Sequence, residues 1–175
     1  MDIDVGYGLW ARVEPELDLR LSRVITQLSE RHGGPAFPPH LTLASHFPDA
    51  HGAHEAATAA ASTLRDIRVR FASVEATSDF YRALYLRAAD HAGLSACHAE
   101  LARRSGAPSG DFLPHLSLFY GDLGAERQRA VADARALLPL GAALTRIEVW
   151  RLRGTADAWQ WCSAVELSSA SVKTG

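Results

Sequence analysis

Apolar residues alternate with polar or small ones through Val5-Gly6-Tyr7-Gly8-Leu9-Trp10-Ala11-Arg12-Val13, the period of a half-buried strand. Pro15 and Glu16 then open a helix, because proline's fixed φ and missing N–H suit a first turn. Leu17, Leu21, Val24 and Leu28 recur at helical spacing up to a left-handed stop at Gly33-Gly34. Pro35, Pro38 and Pro39 hold the next loop extended and deliver the chain into a second strand, 40–47. After Pro48 and Asp49, Ala53, Ala56, Ala57, Ala60, Ala61 and Leu64 share one face of a helix running to about Arg65. Strands over 67–76 and 81–87 flank a turn at Ser78-Asp79, and Leu94, Cys97 and Leu101 mark a helix that ends before Gly106. A loop, 106–110, leads to a strand around His115 that Gly121-Asp122-Leu123-Gly124 breaks. A helix with Val131, Ala134 and Leu138 stops at Pro139, and strands 143–153 and 158–167 make a hairpin around Gly154-Thr155-Ala156-Asp157.

Strands that alternate with helices yet also form hairpins predict an α+β fold, not a doubly wound parallel sheet. The expected arrangement is bilobal and pseudo-twofold, with two antiparallel sheets lining a central cleft and helices outside. At 175 residues the chain is long enough to bury a core unaided. It reads as one domain, 1–168, followed by a polar tail, 169–175, expected to be disordered.

Composition narrows the function. No apolar run approaches the roughly 20 residues that span a bilayer, and the acidic start Met1-Asp2-Ile3-Asp4 lacks the features of a signal peptide. The expectation is a cytoplasmic monomer with no membrane partner. Cys97 and Cys162 are too few and too far apart for a disulfide framework or a cysteine zinc site. A formal charge of −2 leaves no broad positive field for long nucleic acid, although a small anion needs only local donors.

The candidate chemistry lies in a phrase written twice. Phe37-Pro38-Pro39-His40-Leu41-Thr42-Leu43 and Phe112-Leu113-Pro114-His115-Leu116-Ser117-Leu118 each set a histidine after proline and a hydroxyl two residues on. In a strand, His40 with Thr42 and His115 with Ser117 point to one face while the leucines point into a core. Two imidazoles facing one cleft serve as acid and base in one turnover, and hydroxyls beside them hold the non-bridging oxygens of a phosphate. Hydrolysis of a strained cyclic phosphate suits that set and requires no metal or other cofactor. His46 has the parity to join the same face if the pairing stays regular. His51 and His54 lack a third ligand and read as surface histidines. Arg151 and Arg153 share a sheet face that reads as solvated, with a positive charge for a nucleotide as its other use. Trp159 and Trp161 read as packing.

These two motifs resemble the paired His-x-Thr/Ser signatures that name the 2H phosphoesterase superfamily. The flanking words Leu9-Trp10-Ala11 and Phe119-Tyr120-Gly121-Asp122-Leu123 are similar to its cyclic phosphodiesterase branch, and the resemblance spans about Tyr7 to about Leu167. It implies a metal-free cleft that opens 2′,3′-cyclic nucleotides, or ADP-ribose 1″,2″-cyclic phosphate, at the 3′ oxygen to leave a 2′-phosphate. It assigns His40, Thr42, His115 and Ser117 to catalysis, with Trp10 near the base or ribose and Tyr120 near the phosphate. The water-activating histidine of the family falls in the second motif, which implies His115 as base and His40 as acid. The partner so implied is a small cyclic-phosphate nucleotide. RNA ends or 2′,5′-oligonucleotides are the alternative substrates and call for a broader basic rim. A nucleotide-binding module without catalysis is the remaining alternative, one with little need for two titratable groups.

Overall fold

The computed structural model describes residues 3–89, 91–107 and 112–167; the loop residues 108–110 and the tail 169–175 named above lie outside them. Its strands are β1 (Ile3–Val13), β2 (Leu41–Phe47), β3 (Arg68–Glu75), β4 (Leu84–Ala88), β5 (His115–Phe119), β6 (Leu140–Gly154) and β7 (Gln160–Glu166). The helices are α1 (Pro15–His32), α2 (Ala50–Leu64), α3 (Ala92–Ser105) and α4 (Arg127–Ala134). No helix among the described residues is long and apolar enough to cross a membrane.

The fold is α+β with an antiparallel sheet, as the alternation of elements implies. The two expected sheets are joined into one, in the order β1-β2-β5-β4-β3-β6-β7, and β6 pairs back onto β1 to close the circuit. Strand β6 bridges the lobes: Leu140–Ala143 lie against β3, and the rest of the strand lies against β1 and β7. It therefore starts three residues before the expected 143, because pairing with β3 carries Gly141 and Ala142 into the ladder directly after the proline that stops the helix.

The lobes meet where β2 runs antiparallel to β5, with Leu41 opposite Leu116. That pair belongs to a row across six strands, Ile147, Ala11, Leu41, Leu116, Leu86 and Val74. Every member is buried, the two leucines at the seam to 1% and 0% exposure. Burying a leucine contributes about 1.5–3 kcal/mol, so this row fixes which face of each strand turns inward.

Helices cover that apolar face: α3 lies on β2, α2 on α3 and β6, α1 on β5, and α4 on β3 and β4. The alanine face of α2 is buried at Ala53, Ala56, Ala57 and Ala60, and these small side chains let the helix approach its neighbours closely. Helix α1 stops where expected, with Gly33 at φ 77° donating its N–H to the Ser29 carbonyl. The chain then passes under β5, where a Cβ on Gly34 would strike the Tyr120 carbonyl and the Phe119 ring.

Gly34→Ala is therefore expected to lose about 1–3 kcal/mol of stability through overpacking. Denaturant titration of parent and variant measures it, and a change below about 0.5 kcal/mol, the size of an ordinary surface substitution, would show that the loop yields freely.

Candidate active site

Continuing the Leu41–Leu116 register by one residue each way sets His40 across from Ser117 and Thr42 across from His115. These four side chains share the face opposite the leucine row, as cross-strand neighbours about 4.5–5.5 Å apart at Cβ. The row through Thr42 and His115 runs on to Trp10 and Glu148 on one side and Arg87 on the other. The row through Ser117 continues to Tyr85 and Glu75. A cleft of about 350 Å³ opens on this face, and its lining includes all six sequence-predicted residues, Trp10, His40, Thr42, His115, Ser117 and Tyr120.

The proline before each histidine has a structural use. A residue ahead of proline is confined to extended backbone, which turns its carbonyl towards the imidazole two positions later. His40 Nδ1 lies 2.6 Å from the Pro38 oxygen and His115 Nδ1 lies 2.8 Å from the Leu113 oxygen. A carbonyl only accepts, so both Nδ1 atoms donate and each neutral ring has its lone pair on Nε2. Tyr120 Oη lies 3.4 Å from His40 Nε2, where its hydroxyl donates, and Ser117 donates to the Tyr81 carbonyl at 2.9 Å.

Trp10 does not offer the open face that contact with a base would require. It is 1% exposed, with His40 stacked on it at 3.6 Å and 9° and Trp150 following at 4.6 Å and 25°. Its ring lies flat behind that of the first histidine. The far end of the stack is pinned, since Trp150 Nε1 donates at 2.9 Å to Glu148, a buried carboxylate that also accepts from Arg12 and Arg146. Tyr120 is buried likewise, its ring stacked on Phe37 at 3.7 Å, and only its hydroxyl end reaches towards the cleft. His115 is held more loosely, with the Tyr85 ring edge-on at 5.3 Å and the Tyr85 hydroxyl bonded to Glu75.

Other expectations fare differently. His46 takes φ 72°, which swings its side chain into solvent beside Ser45 instead of towards His40. Arg151 and Arg153 are exposed, the latter 3.4 Å from Asp4, and neither lines the cleft. Trp159 and Trp161 part company: Trp161 is 57% exposed, while the loop before β7 carries Trp159 back to the cleft, 5.7 Å from Trp10. Tyr81, Arg82 and Asp79 also line the cleft from the turn between β3 and β4: Tyr81 and Arg82, expected within a strand 81–87, lie in a helical turn over Phe80–Arg82 whose Tyr81 N–H is capped by Asp79, and the strand begins only at Leu84. Among the described residues no three His, Cys, Asp or Glu side chains converge as metal ligands. A hollow of similar size between α1 and α4, about 370 Å³, is lined by Val24, Leu28, Ala130 and arginines and lacks this chemistry.

Burial pushes the His40 pKa down to about 3, with Arg12 and His115 adding to the effect and the Pro38 carbonyl and Glu148 opposing it. Burial also lowers His115, the Leu113 carbonyl opposing; there Arg82 lowers further and Asp79 raises. Desolvation drives the Tyr120 phenol upward, so it remains a donor. At neutral pH the cleft thus presents free-base imidazoles.

A model of the 2′-5′ RNA ligase superfamily matches residues 13–156. The TT0787 protein of Thermus thermophilus is similar in structure with a TM-score of 0.59 at 13% identity, over 97% of this chain and 99% of that one. Escherichia coli LigT in its apo form gives 0.54 at 15% identity, over 94% and 98%. Its complex with ATP gives 0.55 at 15%, over the same shares. No curated protein matches the chain.

The buried histidine makes stability depend on pH. An imidazole of the unfolded chain titrates near 6.5 and that of His40 at about 3, so between these values the unfolded state binds one proton more. Stability is full above about pH 6.5 and falls on acidification, by up to about 1.4 kcal/mol per pH unit for this group. The melting temperature is expected to drop between about pH 7 and pH 5 and to drop less in His40→Gln. Equal slopes in the two proteins would mean that the ring is not desolvated.

Proposed function

The chain belongs to the 2′-5′ RNA ligase superfamily, and from that premise we propose that it is a metal-independent phosphodiesterase that opens 2′,3′-cyclic nucleotides to the nucleoside 2′-phosphate. ADP-ribose 1″,2″-cyclic phosphate is a second substrate of the same kind, and the enzyme works as a cytoplasmic monomer. The observation that carries this reading is the seam register, which crosses each histidine with the hydroxyl of the other motif. A tetrahedral phosphate set between them meets Nε2 of either imidazole, one of which takes up a proton as the anion binds, and hydroxyls from Thr42 and Ser117. Ser117 reaches it by rotating its hydroxyl away from Tyr81.

Ring opening needs a base for water on one side of phosphorus and an acid for the departing 3′ oxygen on the other. We assign the base to His40, opposite to the order that the resemblance implies. Its enclosure by Trp10, Phe37 and Tyr120 favours the free base. His115, less buried and beside Asp79, is the better placed to carry a proton. In the step, Nε2 of His40 takes a proton from water, the water oxygen bonds to phosphorus, the P–O3′ bond breaks, and Nε2–H of His115 protonates O3′. The two rings share one proton in the bound state and exchange roles when the enzyme resets.

A second reading has its own support. A hollow of about 440 Å³ adjoins the cleft, shares Thr42, Ser45, Arg82 and His115 with it, and is walled by Phe112 stacked on His98 at 4.2 Å. That space suits a further nucleotide, as in a cyclic-phosphate RNA end or a 2′,5′-linked oligomer. Relative kcat/KM for 2′,3′-cAMP and a cyclic-phosphate-ended oligomer separates the readings, and a strong preference for the oligomer favours the second.

His40→Ala and His115→Ala are each expected to lower kcat at least about 10²-fold with folding retained, while turnover survives exhaustive chelation. Phosphorus NMR of the product from 2′,3′-cAMP reports activity and bond choice together. An aryl phosphodiester, whose phenolate leaves without a proton, tests the assignment of roles. His115→Ala should regain most of its rate on that ester and His40→Ala should not. The opposite pattern restores His115 as base, and unchanged turnover in either variant removes that histidine from the mechanism.

A further inference from the structure

Resting on that reading, we propose that Arg82 is the phosphate-binding cation of the cleft, its guanidinium holding a non-bridging oxygen of the substrate and taking up charge that gathers there as the ring opens. Arg82 is the sole arginine or lysine among the described residues that line the cleft, and it lines the adjoining hollow as well. It therefore stands on the border between them, beside Thr42 and His115, where the phosphate of either substrate class must sit.

The turn between β3 and β4 presents this side chain in a fixed pose. Asp79 accepts the Tyr81 N–H at 3.0 Å through one carboxylate oxygen and Arg82 Nε and Nη2 at 3.3 and 3.2 Å through the other. The Arg82 N–H donates to the Asp79 carbonyl at 3.0 Å, and its own carbonyl accepts from Thr77 Oγ1 at 2.9 Å. One edge of the guanidinium is thus bound to Asp79, and among the described residues nothing pairs with the Nη1 end, which is left for a ligand. The ion pair is half-open to solvent, with side-chain exposures of 38% and 44%. An exposed pair of this kind contributes only about 0.2–1 kcal/mol, so an incoming phosphate competes with Asp79 easily.

Electrostatic need points the same way. Neutral imidazoles and hydroxyls offer dipoles to the phosphate, whereas arginine brings a permanent charge and a planar fork shaped to phosphate oxygens. Its field reaches the reacting pair, because it acts on the titration of His115. The arginines that strand parity singles out, Arg151 and Arg153, point away from the cleft.

Calorimetric titration of the full chain with inorganic phosphate, adenosine 2′-monophosphate and adenosine tests the proposal. Arg82→Ala is expected to weaken both phosphate-bearing ligands about tenfold or more, to leave adenosine unchanged and to lower kcat/KM about 10²-fold, with Arg82→Lys recovering part of each loss. Free guanidinium should restore some activity to the alanine variant. Phosphate affinity within about threefold of the parent's overturns the proposal. So does an equal loss for adenosine and its monophosphate, which would mark Arg82 as a brace for the turn. Should Arg82→Ala fail to fold, Arg82→Gln carries the same comparison. A parent that binds phosphate through Arg82 yet cleaves no cyclic phosphate would sink the hydrolytic reading alone, and an Arg82→Ala variant that cleaves it at the parent's rate would sink this one alone.

Discussion

The single antiparallel pairing of Leu41 with Leu116 is the constraint on which the rest of the molecule depends. Because side chains alternate along a strand, burying these leucines forces the residues on either side of each to the opposite face. Those residues are His40, Thr42, His115 and Ser117. A slip of one residue at the seam would send the histidines into the apolar layer and the leucines into the cleft. Site and core are therefore specified by one register, and the stability of the leucine row is what holds both imidazoles on the cleft face.

That register sets where the histidines stand but not how firmly, and the two lobes differ in this. His40 is clamped through a column of rings, Trp10 and then Trp150, that ends on Glu148 buried among Arg12, Arg146 and the Trp150 N–H. Burial alone would raise a carboxyl's pKa, yet donors from Trp150, Arg146 and Arg12 outweigh it and keep Glu148 ionised. A satisfied buried charge of this sort is strongly destabilised by loss of one partner, which makes it a firm anchor for the stack. His115 has instead the edge of Tyr85, with Glu75 behind it held by Ser73, Tyr85 and Arg87. One imidazole is thus rigid and dry, and the other is looser and nearer solvent.

Much of this was legible in the chain, and the division between what was and was not is physical. Periods of 2 and 3.6 mark strands and helices because burial enforces them, so Leu17 and Leu21, the alanine face of α2 and the repeated Pro-His-Leu phrase all announce their places. The same patterns cannot say that two lobes share hydrogen bonds through β6, since that depends on a strand long enough to serve both. Parity also misleads where the backbone leaves the regular path: φ 72° at His46 turns out a residue that alternation turns in. The strand pattern alone cannot show that both faces of Trp10 are taken by His40 and Trp150, an arrangement only the tertiary stack reveals. Trp159, Tyr81 and Arg82, which alternation assigns to strand starts, instead reach the cleft from turns, because tertiary contacts and not the period of 2 set the backbone there.

The proposed division, with the charge on a loop and the acid and base on strands, has a mechanistic logic. The imidazoles must keep their separation and tautomers through the reaction, and the strand backbone with its proline-directed carbonyls supplies that rigidity. The guanidinium has the different task of meeting an anion that arrives from solvent and departs as a more highly charged monoester. A cation buried on the strands would bind that product tightly and would itself carry a desolvation cost. In the proposed cycle Arg82 on its exposed turn, paired with Asp79, would give up part of that pairing to a phosphate oxygen and regain it when the product leaves. On the proposed mechanism, depth sorts the site by function: proton transfer falls to the buried wall, and recognition of charge to the rim.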